Sequence, residues 1–453
     1  MIRNIMTGLG ALLLAAVLGV LAWLFIAPPE LLRVGDGYAA KMVCSNVFLA
    51  GRDAQQVLAV DVQAPGNPAL KLISVKVDRK AHSVTARFLG LFAPSGALYR
   101  DGLGCTSVPD LNWAAAQAIH LPAKPVIIPH GPGLWPEGSD APAGAAPELA
   151  AVFNDAKLTG PNMRAIVVIK DGRLLAETYG PGFTADTPLL GWSMSKTVNA
   201  ALLGRVVQAG KLSLDDTALF PQWTDGRKDI RIRDLTAMKS GLAFNEDYGD
   251  VSDVSRMLYV KPDMAAFAAD KPLSTTPGAH FAYSTGTSFI LARLWMDRIG
   301  DPATALAFPR QALFGPLGMT SATMETDEHG TFAGGSYVYA TARDWARFGQ
   351  FLMQDGVWNG QRLLPEGFVG LMRTSNGSKD GYSQMQTWLL GPQESETGAT
   401  GLPADAFWLR GHDGQTVTII PSLKLIVIRM GLTPWEMGYR PEPLVKAVIH
   451  ATR

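Results

Sequence analysis

The chain is 453 residues long, which suits two or three domains of ordinary size. Lysine and arginine together number 40, as do aspartate and glutamate, so the formal charge is zero and no long-range field favours nucleic acid as a partner. Charged residues make up 18% and apolar ones 47%, which excludes an intrinsically disordered chain and leaves a folded body with one greasy segment.

That segment comes first. From Thr7 to Ala27 there is no charge, and about 20 such residues cross a bilayer as a helix. A cleaved signal peptide has a shorter apolar core and a small-x-small cleavage site, whereas this run ends in Ala27-Pro28-Pro29. Residues 1–29 are therefore expected to be an uncleaved membrane anchor, with secretion after signal cleavage as the alternative. Arg3 lies on one side and Arg33 and Lys41 on the other, so the positive-inside rule sets no orientation.

The only two cysteines, Cys44 and Cys105, both follow the anchor. Paired, they close a loop worth about 4 kcal/mol of chain entropy, a staple suited to a module outside the reducing cytosol. The alternative is two buried thiols. Within residues 30–129, Ile73, Val75 and Val77 alternate with polar residues, as do Val84, Ala86 and Phe88, so a hairpin is expected in a small β-rich module. The Gly/Pro/Ala-rich stretch 130–147 lacks an apolar period and reads as a linker.

From residue 148 on, Leu149, Val152 and Phe153 have helical spacing, and apolar runs flank the hairpin turn Asp171-Gly172. Near the other end, Val417 and Ile419 form one strand and Leu425 to Ile428 another, before a helical stretch with Leu444, Val445 and Val448. Strands at both ends with a long helical insertion predict an α+β fold for 148–453: an antiparallel sheet flanked by helices, plus a mainly helical subdomain. No repeat of fixed period is visible.

The chemistry centres on Gly191-Trp192-Ser193-Met194-Ser195-Lys196, which leads into a helix-compatible run ending at Gly210. Residues three apart share a helical face, so the Lys196 amine can reach the Ser193 hydroxyl. A serine needs a base, and lysine serves only when burial or nearby positive charge leaves it neutral. Taken alone, Ser-x-x-Lys is also what a capping serine beside a solvated lysine looks like. Two further words stand in order: Pro277-Gly278-Ala279-His280-Phe281-Ala282-Tyr283-Ser284-Thr285, before a helical pattern, and Gly411-His412-Asp413-Gly414-Gln415, opening a strand.

With these three words, residues 145–453 resemble the serine β-lactamase and penicillin-binding family, whose motifs are Ser-x-x-Lys, Tyr/Ser-x-Asn and Lys-Thr-Gly or a variant. The branch it is most similar to is class C, which includes esterases, D-amino-acid peptidases and 6-aminohexanoate-oligomer hydrolases. The resemblance implies a β-lactamase/transpeptidase-like fold and no cofactor. It implies Ser193 as the acylated nucleophile, Lys196 as the base or the group that orients it, Tyr283 as the phenol that passes a proton to the leaving group, and the amides of Ser193 and Gln415 as the oxyanion hole. The segment Ser240–Tyr248, continuing through Asp250 to Asp253, is similar to a substrate loop of the nylon-oligomer hydrolases, which puts Tyr248 at the substrate. Thr285, His412 and Gly414 complete the implied binding residues.

Two departures matter. Thr285 stands where an amide would hold the substrate, and His412 where a permanent cation would grip a carboxylate. Both favour a small-molecule amide or ester over penicillins. The alternatives are a D-alanyl peptidase or β-lactamase acting on cell-wall peptides or β-lactams, and a non-hydrolysing penicillin-binding-type receptor. Gly191-x-Ser193-x-Ser195 misses the nucleophile elbow of α/β-hydrolases at its fifth position. Asp247, Asp250 and Asp253 read as a solvated loop, and no histidine spacing suggests a metal site. The expected location is a bacterial envelope, inner-membrane anchored with the catalytic domain in the periplasm. Composition says nothing of oligomeric state.

Overall fold

The computed structural model describes residues 2–64, 67–142, 144, 146–248, 251–397 and 401–453; Asp250 lies outside them. The chain forms two compact units, the first being Met1–Arg100, Cys105–Ile119 and Asp247–Pro262, and the second the remainder.

The first unit opens with the helix Ile2–Ile26, whose stretch Met6–Ile26 is long and apolar enough for a membrane anchor or a signal sequence. A second helix, Glu30–Phe48, is buried over most of its length from Asp36 on. It packs on a four-stranded sheet ordered β1-β2-β3-β4, comprising β1 (Ile73–Asp78), β2 (Ser83–Phe88), β3 (Phe92–Arg100) and β4 (Gly104–Val108). The alternation read from sequence is realised in β1 and β2, where Val75 opposes Ala86 and Val77 opposes Val84. Strand β3 carries Pro94 and Gly96, which break the pattern that would have announced it.

A disulfide joins Cys44 of the second helix to Cys105 of β4, closing a loop across a sequence separation of 61. The helix Asp253–Val260 also packs on Glu30–Phe48, and Gly37 makes this approach possible: a Cβ there would lie 2.6 Å from the Tyr259 carbonyl oxygen. Asp253 occupies the first turn of that helix, where a carboxylate favours the dipole. Inside the unit, Asp36 Oδ2 accepts the Phe88 amide at 3.0 Å, and burial pushes this carboxyl up to about 8.

The second unit is built on a five-stranded antiparallel sheet ordered β12-β13-β14-β5-β6. Strands β5 (Met163–Lys170) and β6 (Arg173–Tyr179) are joined at Asp171 and Gly172, both with positive φ, the backbone that a two-residue hairpin demands. Short strands β7 (Leu189–Leu190), β8 (Thr323–Met324) and β9 (Val338–Ala340) form a separate sheet, and β10 (Val357–Trp358) pairs with β11 (Gln361–Arg362). Strands β12 (Phe407–Gly411), β13 (Gln415–Ile420) and β14 (Leu425–Gly431) complete the main sheet.

Strands β13 and β14 are buried throughout because both faces of the sheet are covered. On one face, Leu149 and Val152 of the helix Pro147–Asn154 and Leu444, Val445 and Val448 of the helix Glu442–Ala451 form a core with Val168 and Val427. On the other lies the helix Ala342–Met353. Of the stretch 130–147 read as linker, residues 130–142 belong to the second unit and pack within it: Trp135 is buried, and Arg347 donates to the Pro136 and Gly138 carbonyls at 3.2 and 3.3 Å.

Candidate active site

The turn that carries Ser193 is held by backbone bonds. The Gly191 amide donates to the Val338 carbonyl of β9 at 2.9 Å, and the Val338 amide donates to Ser195 Oγ at 2.9 Å. Between these anchors Trp192 has φ +48°, a left-handed conformation costly for so large a side chain. Ser193 sits in a short 3-10 turn, Trp192–Met194, just ahead of the α-helix Ser195–Gln208 rather than in that helix's first α-turn. The amine of Lys196 nevertheless lies 3.0 Å from Ser193 Oγ, as the three-residue spacing requires.

A second helix, Thr285–Ile299, brings the other motif. Ser284 caps it by accepting the Thr287 amide at 3.2 Å. The two helices are locked by Asn199, which donates to the Ser288 carbonyl at 2.9 Å and accepts the Trp295 indole N–H at 2.8 Å. Their N-terminal ends therefore meet. Lys196 Nζ donates to Thr285 Oγ1 at 3.0 Å and to the Gly335 carbonyl at 2.9 Å, and it lies 4.8 Å above the centre of the Tyr283 ring. Tyr283 packs on Trp388, with centroids 5.4 Å apart, and edge-on to Tyr382.

A buried carboxylate completes the cluster. Glu246 Oε2 accepts the Thr285 amide at 2.7 Å, and Glu246 Oε1 accepts the Thr285 hydroxyl. Spacing could not announce this partner, because 39 residues separate the two positions. Burial lowers the Lys196 ammonium to about 8, against the Glu246 carboxylate, which raises it. Burial in turn pushes Glu246 above the usual carboxylate range, opposed by Lys196 and the bonds from Thr285. Tyr283 is pushed well above the ordinary phenol value by burial and then by Glu246, with a hydrogen bond to Ser193 acting the other way. At neutral pH Tyr283 is a protonated donor and Lys196 is within reach of its neutral form.

The third motif closes the site from the main sheet. A Cβ built on Gly411 at the end of β12 would lie 2.2 Å from the Gly191 carbonyl oxygen, so the strand end touches the turn that carries Ser193. The turn His412–Gly414 follows, with Asp413 at φ +58° and Gly414 at φ +80°. The nearest atom to a Cβ at Gly414 would be Arg429 Nη1 at 2.9 Å, so the glycine fits both the backbone and this guanidinium. The Gln415 side chain pins the turn, donating to the His412 and Asp413 carbonyls at 3.2 and 3.1 Å and accepting the Gly431 amide at 2.8 Å. His412 is about half exposed, edge-on to Trp192 at 5.6 Å, and its Nε2 is 3.3 Å from Asp413 Oδ1.

Ser193, Lys196, Tyr283 and Thr285 are thus brought together, and His412 and Gly414 lie on the turn beside Trp192. Thr285 is fully buried with its hydroxyl engaged by Lys196 and Glu246. Tyr248 is part of the first unit, 36% exposed.

Comparison with known proteins bears on the family and the fold. The model of the family described as Beta-lactamase matches residues 158–431. The 6-aminohexanoate-dimer hydrolase of Paenarthrobacter ureafaciens is 26% identical over 352 residues, spanning 70% of this chain and 85% of that enzyme. A penicillin binding protein from Bacillus halodurans shares the fold with a TM-score of 0.51 at 19% identity, covering 67% of this chain and 100% of its own. FmtA from Staphylococcus aureus does so with a TM-score of 0.52 at 14% identity, covering 70% and 93%.

Proposed function

The chain belongs to the beta-lactamase family, and from that premise we propose that it is a serine hydrolase cleaving an amide or ester bond through an acyl-Ser193 intermediate. The observation that carries this reading is the buried amine of Lys196, 3.0 Å from Ser193 Oγ and lowered by desolvation to about 8. A neutral amine there takes the serine proton as Oγ attacks the carbonyl carbon. The backbone amides of Ser193 and Gln415 would receive the oxyanion, a contribution typically worth about 3 kcal/mol per donor. Tyr283, held protonated, supplies the proton that the departing amine or alkoxide needs. Water then takes the place of the leaving group: it gives a proton to Tyr283 as its oxygen attacks the ester carbon, and Lys196 returns its proton to Ser193 Oγ as the acid departs.

The substrate class follows the relative from Paenarthrobacter ureafaciens: a small linear amide, or the corresponding ester. His412 supports this over a carboxylate-bearing β-lactam, because an imidazole gives no permanent charge at that position. The helix Met6–Ile26 and the Cys44–Cys105 disulfide support an envelope location, anchored in a bacterial inner membrane with the hydrolase unit in the periplasm. The test uses a chromogenic short-chain ester, a 6-aminohexanoate dimer and a labelled penicillin on the full chain and on Ser193→Ala. Turnover of ester or dimer that disappears in the folded variant is expected. Turnover retained by Ser193→Ala, or a wild type that only accumulates a stable penicillin adduct, would overturn the reading.

A further inference from the structure

We propose that Glu246 is a positioning residue for acylation: acting through the Thr285 hydroxyl, it aims the Lys196 lone pair at Ser193 and stabilises the ammonium that forms there. The inference rests on the acyl-serine reading and assigns a carboxylate that none of the three motifs contains.

The argument is one of hydrogen-bond polarity. The Glu246 carboxylate can only accept, and it takes both the amide and the hydroxyl hydrogen of Thr285. The Thr285 oxygen, its hydrogen committed, can only accept from Lys196, 3.0 Å away. The Gly335 carbonyl, 2.9 Å away, can likewise only accept. A neutral amine has two hydrogens and one lone pair. With both hydrogens claimed, the lone pair is left for Ser193 Oγ, 3.0 Å away. When the Ser193 O–H bond breaks, its proton binds that lone pair while the oxygen's electron pair attacks the acyl carbon. The ammonium so formed has three hydrogens and three acceptors, and the Glu246 carboxylate is the anion one hydroxyl away. In the sequence of bonds from serine to lysine to threonine to glutamate, each atom is already turned the way the proton transfer needs.

Glutamine at position 246 would keep the shape and reverse the polarity. Its oxygen must face the Thr285 amide, which leaves its NH2 group facing the Thr285 oxygen and turns the hydroxyl hydrogen toward Lys196, where it competes with Ser193 for the lone pair. The anion that raises the Lys196 ammonium is lost at the same time. The other titratable groups bearing on the cluster are Tyr283 and Tyr382, both held protonated by burial, and Arg410, a permanent cation acting on both phenols. Glu246→Gln removes a charge that raises both phenols, but burial, the larger cause, remains and keeps both protonated.

The test is the second-order rate at which a fluorophosphonate labels Ser193, measured from pH 5 to 10 on the full chain. For Glu246→Gln we expect a fall of at least about 100-fold at the plateau, in the range of lost general-base catalysis, and an acid limb displaced to lower pH. Thr285→Val should show a comparable loss, and Thr285→Ser, which keeps the hydroxyl, should lose less than about tenfold relative to wild type. Labelling of Glu246→Gln within about threefold of wild type, with an unmoved acid limb, would overturn the inference while leaving the nucleophile intact. If Glu246→Gln does not fold, the Thr285 pair decides: equal rates for valine and serine would overturn it. A wild type that is not labelled at Ser193 refutes the acyl-serine reading itself, which is a separate outcome.

Discussion

Replacing Gly411 by alanine tests whether strand β12 sets the geometry of the proposed oxyanion hole. The added Cβ would fall 2.2 Å from the Gly191 carbonyl oxygen and 3.0 Å from the Gln415 Cβ. The first of these is backbone, fixed by the Gly191 amide bond to Val338, so it cannot swing aside as a side chain would. Relief requires the strand and the nucleophile turn to part by about 1 Å, the difference between this distance and an ordinary carbon–oxygen contact in a close-packed interior. The Ser193 amide moves with one partner and the Gln415 amide with the other. A misplacement of about 1 Å costs on the order of 100-fold in kcat, or about 2.7 kcal/mol of barrier. The overpacking itself should cost about 1–3 kcal/mol of stability. Steady-state hydrolysis of a chromogenic ester, with thermal unfolding in parallel, reads both. The reasoning fails if Gly411→Ala keeps kcat within about threefold, because the two amides would then not depend on this contact.

Two further outcomes are expected. Tyr283→Phe should reduce turnover of an amide about 100- to 10,000-fold, because the amine cannot leave unprotonated, while a nitrophenyl ester, whose leaving group needs no proton, loses less than about tenfold. Equal losses on both substrates would remove the phenol from the leaving-group step. Asp36→Asn addresses stability in the first unit. The folded carboxyl is pushed up to about 8 from its ordinary value of 3.8, so its contribution to stability is present below about 4 and is lost as pH rises through 8. The asparagine variant should therefore gain in melting temperature relative to wild type between pH 5 and 8, and a constant difference across that range would contradict the assignment.

Much of this is legible in the residues themselves. Asp171-Gly172 marks the β5–β6 hairpin because positive φ at two successive positions selects few residue types. Ser193 and Lys196 are legible because three residues span one helical turn, whether the turn is tight or regular. The helix Glu30–Phe48 is harder to see: it buries Asp36, Lys41, Ser45 and Asn46 along with its apolar residues, so no polar face betrays the period. Glu246 is hidden for a different reason. Its segment is similar to a substrate loop, which draws attention to Tyr248, while its own bonds go to Thr285 on a distant helix. Gln415 shows the converse: its side chain, not only its amide, matters, since it fastens the turn His412–Gly414 to the end of β14.

The assignment of Asp247–Pro262 to the first unit has a consequence for how this protein could be trimmed. That stretch is flanked on both sides by residues of the second unit, so no single cut separates the two. A truncated chain starting at residue 130 would keep the helix Asp253–Val260 and discard the helix Glu30–Phe48 on which it packs. That helix buries Val254, Met257 and Leu258 in the intact molecule, and each such side chain bared to water costs on the order of 1.5–3 kcal/mol. The helix Asp253–Val260 thus finds its packing partner in residues that a cut at 130 would remove.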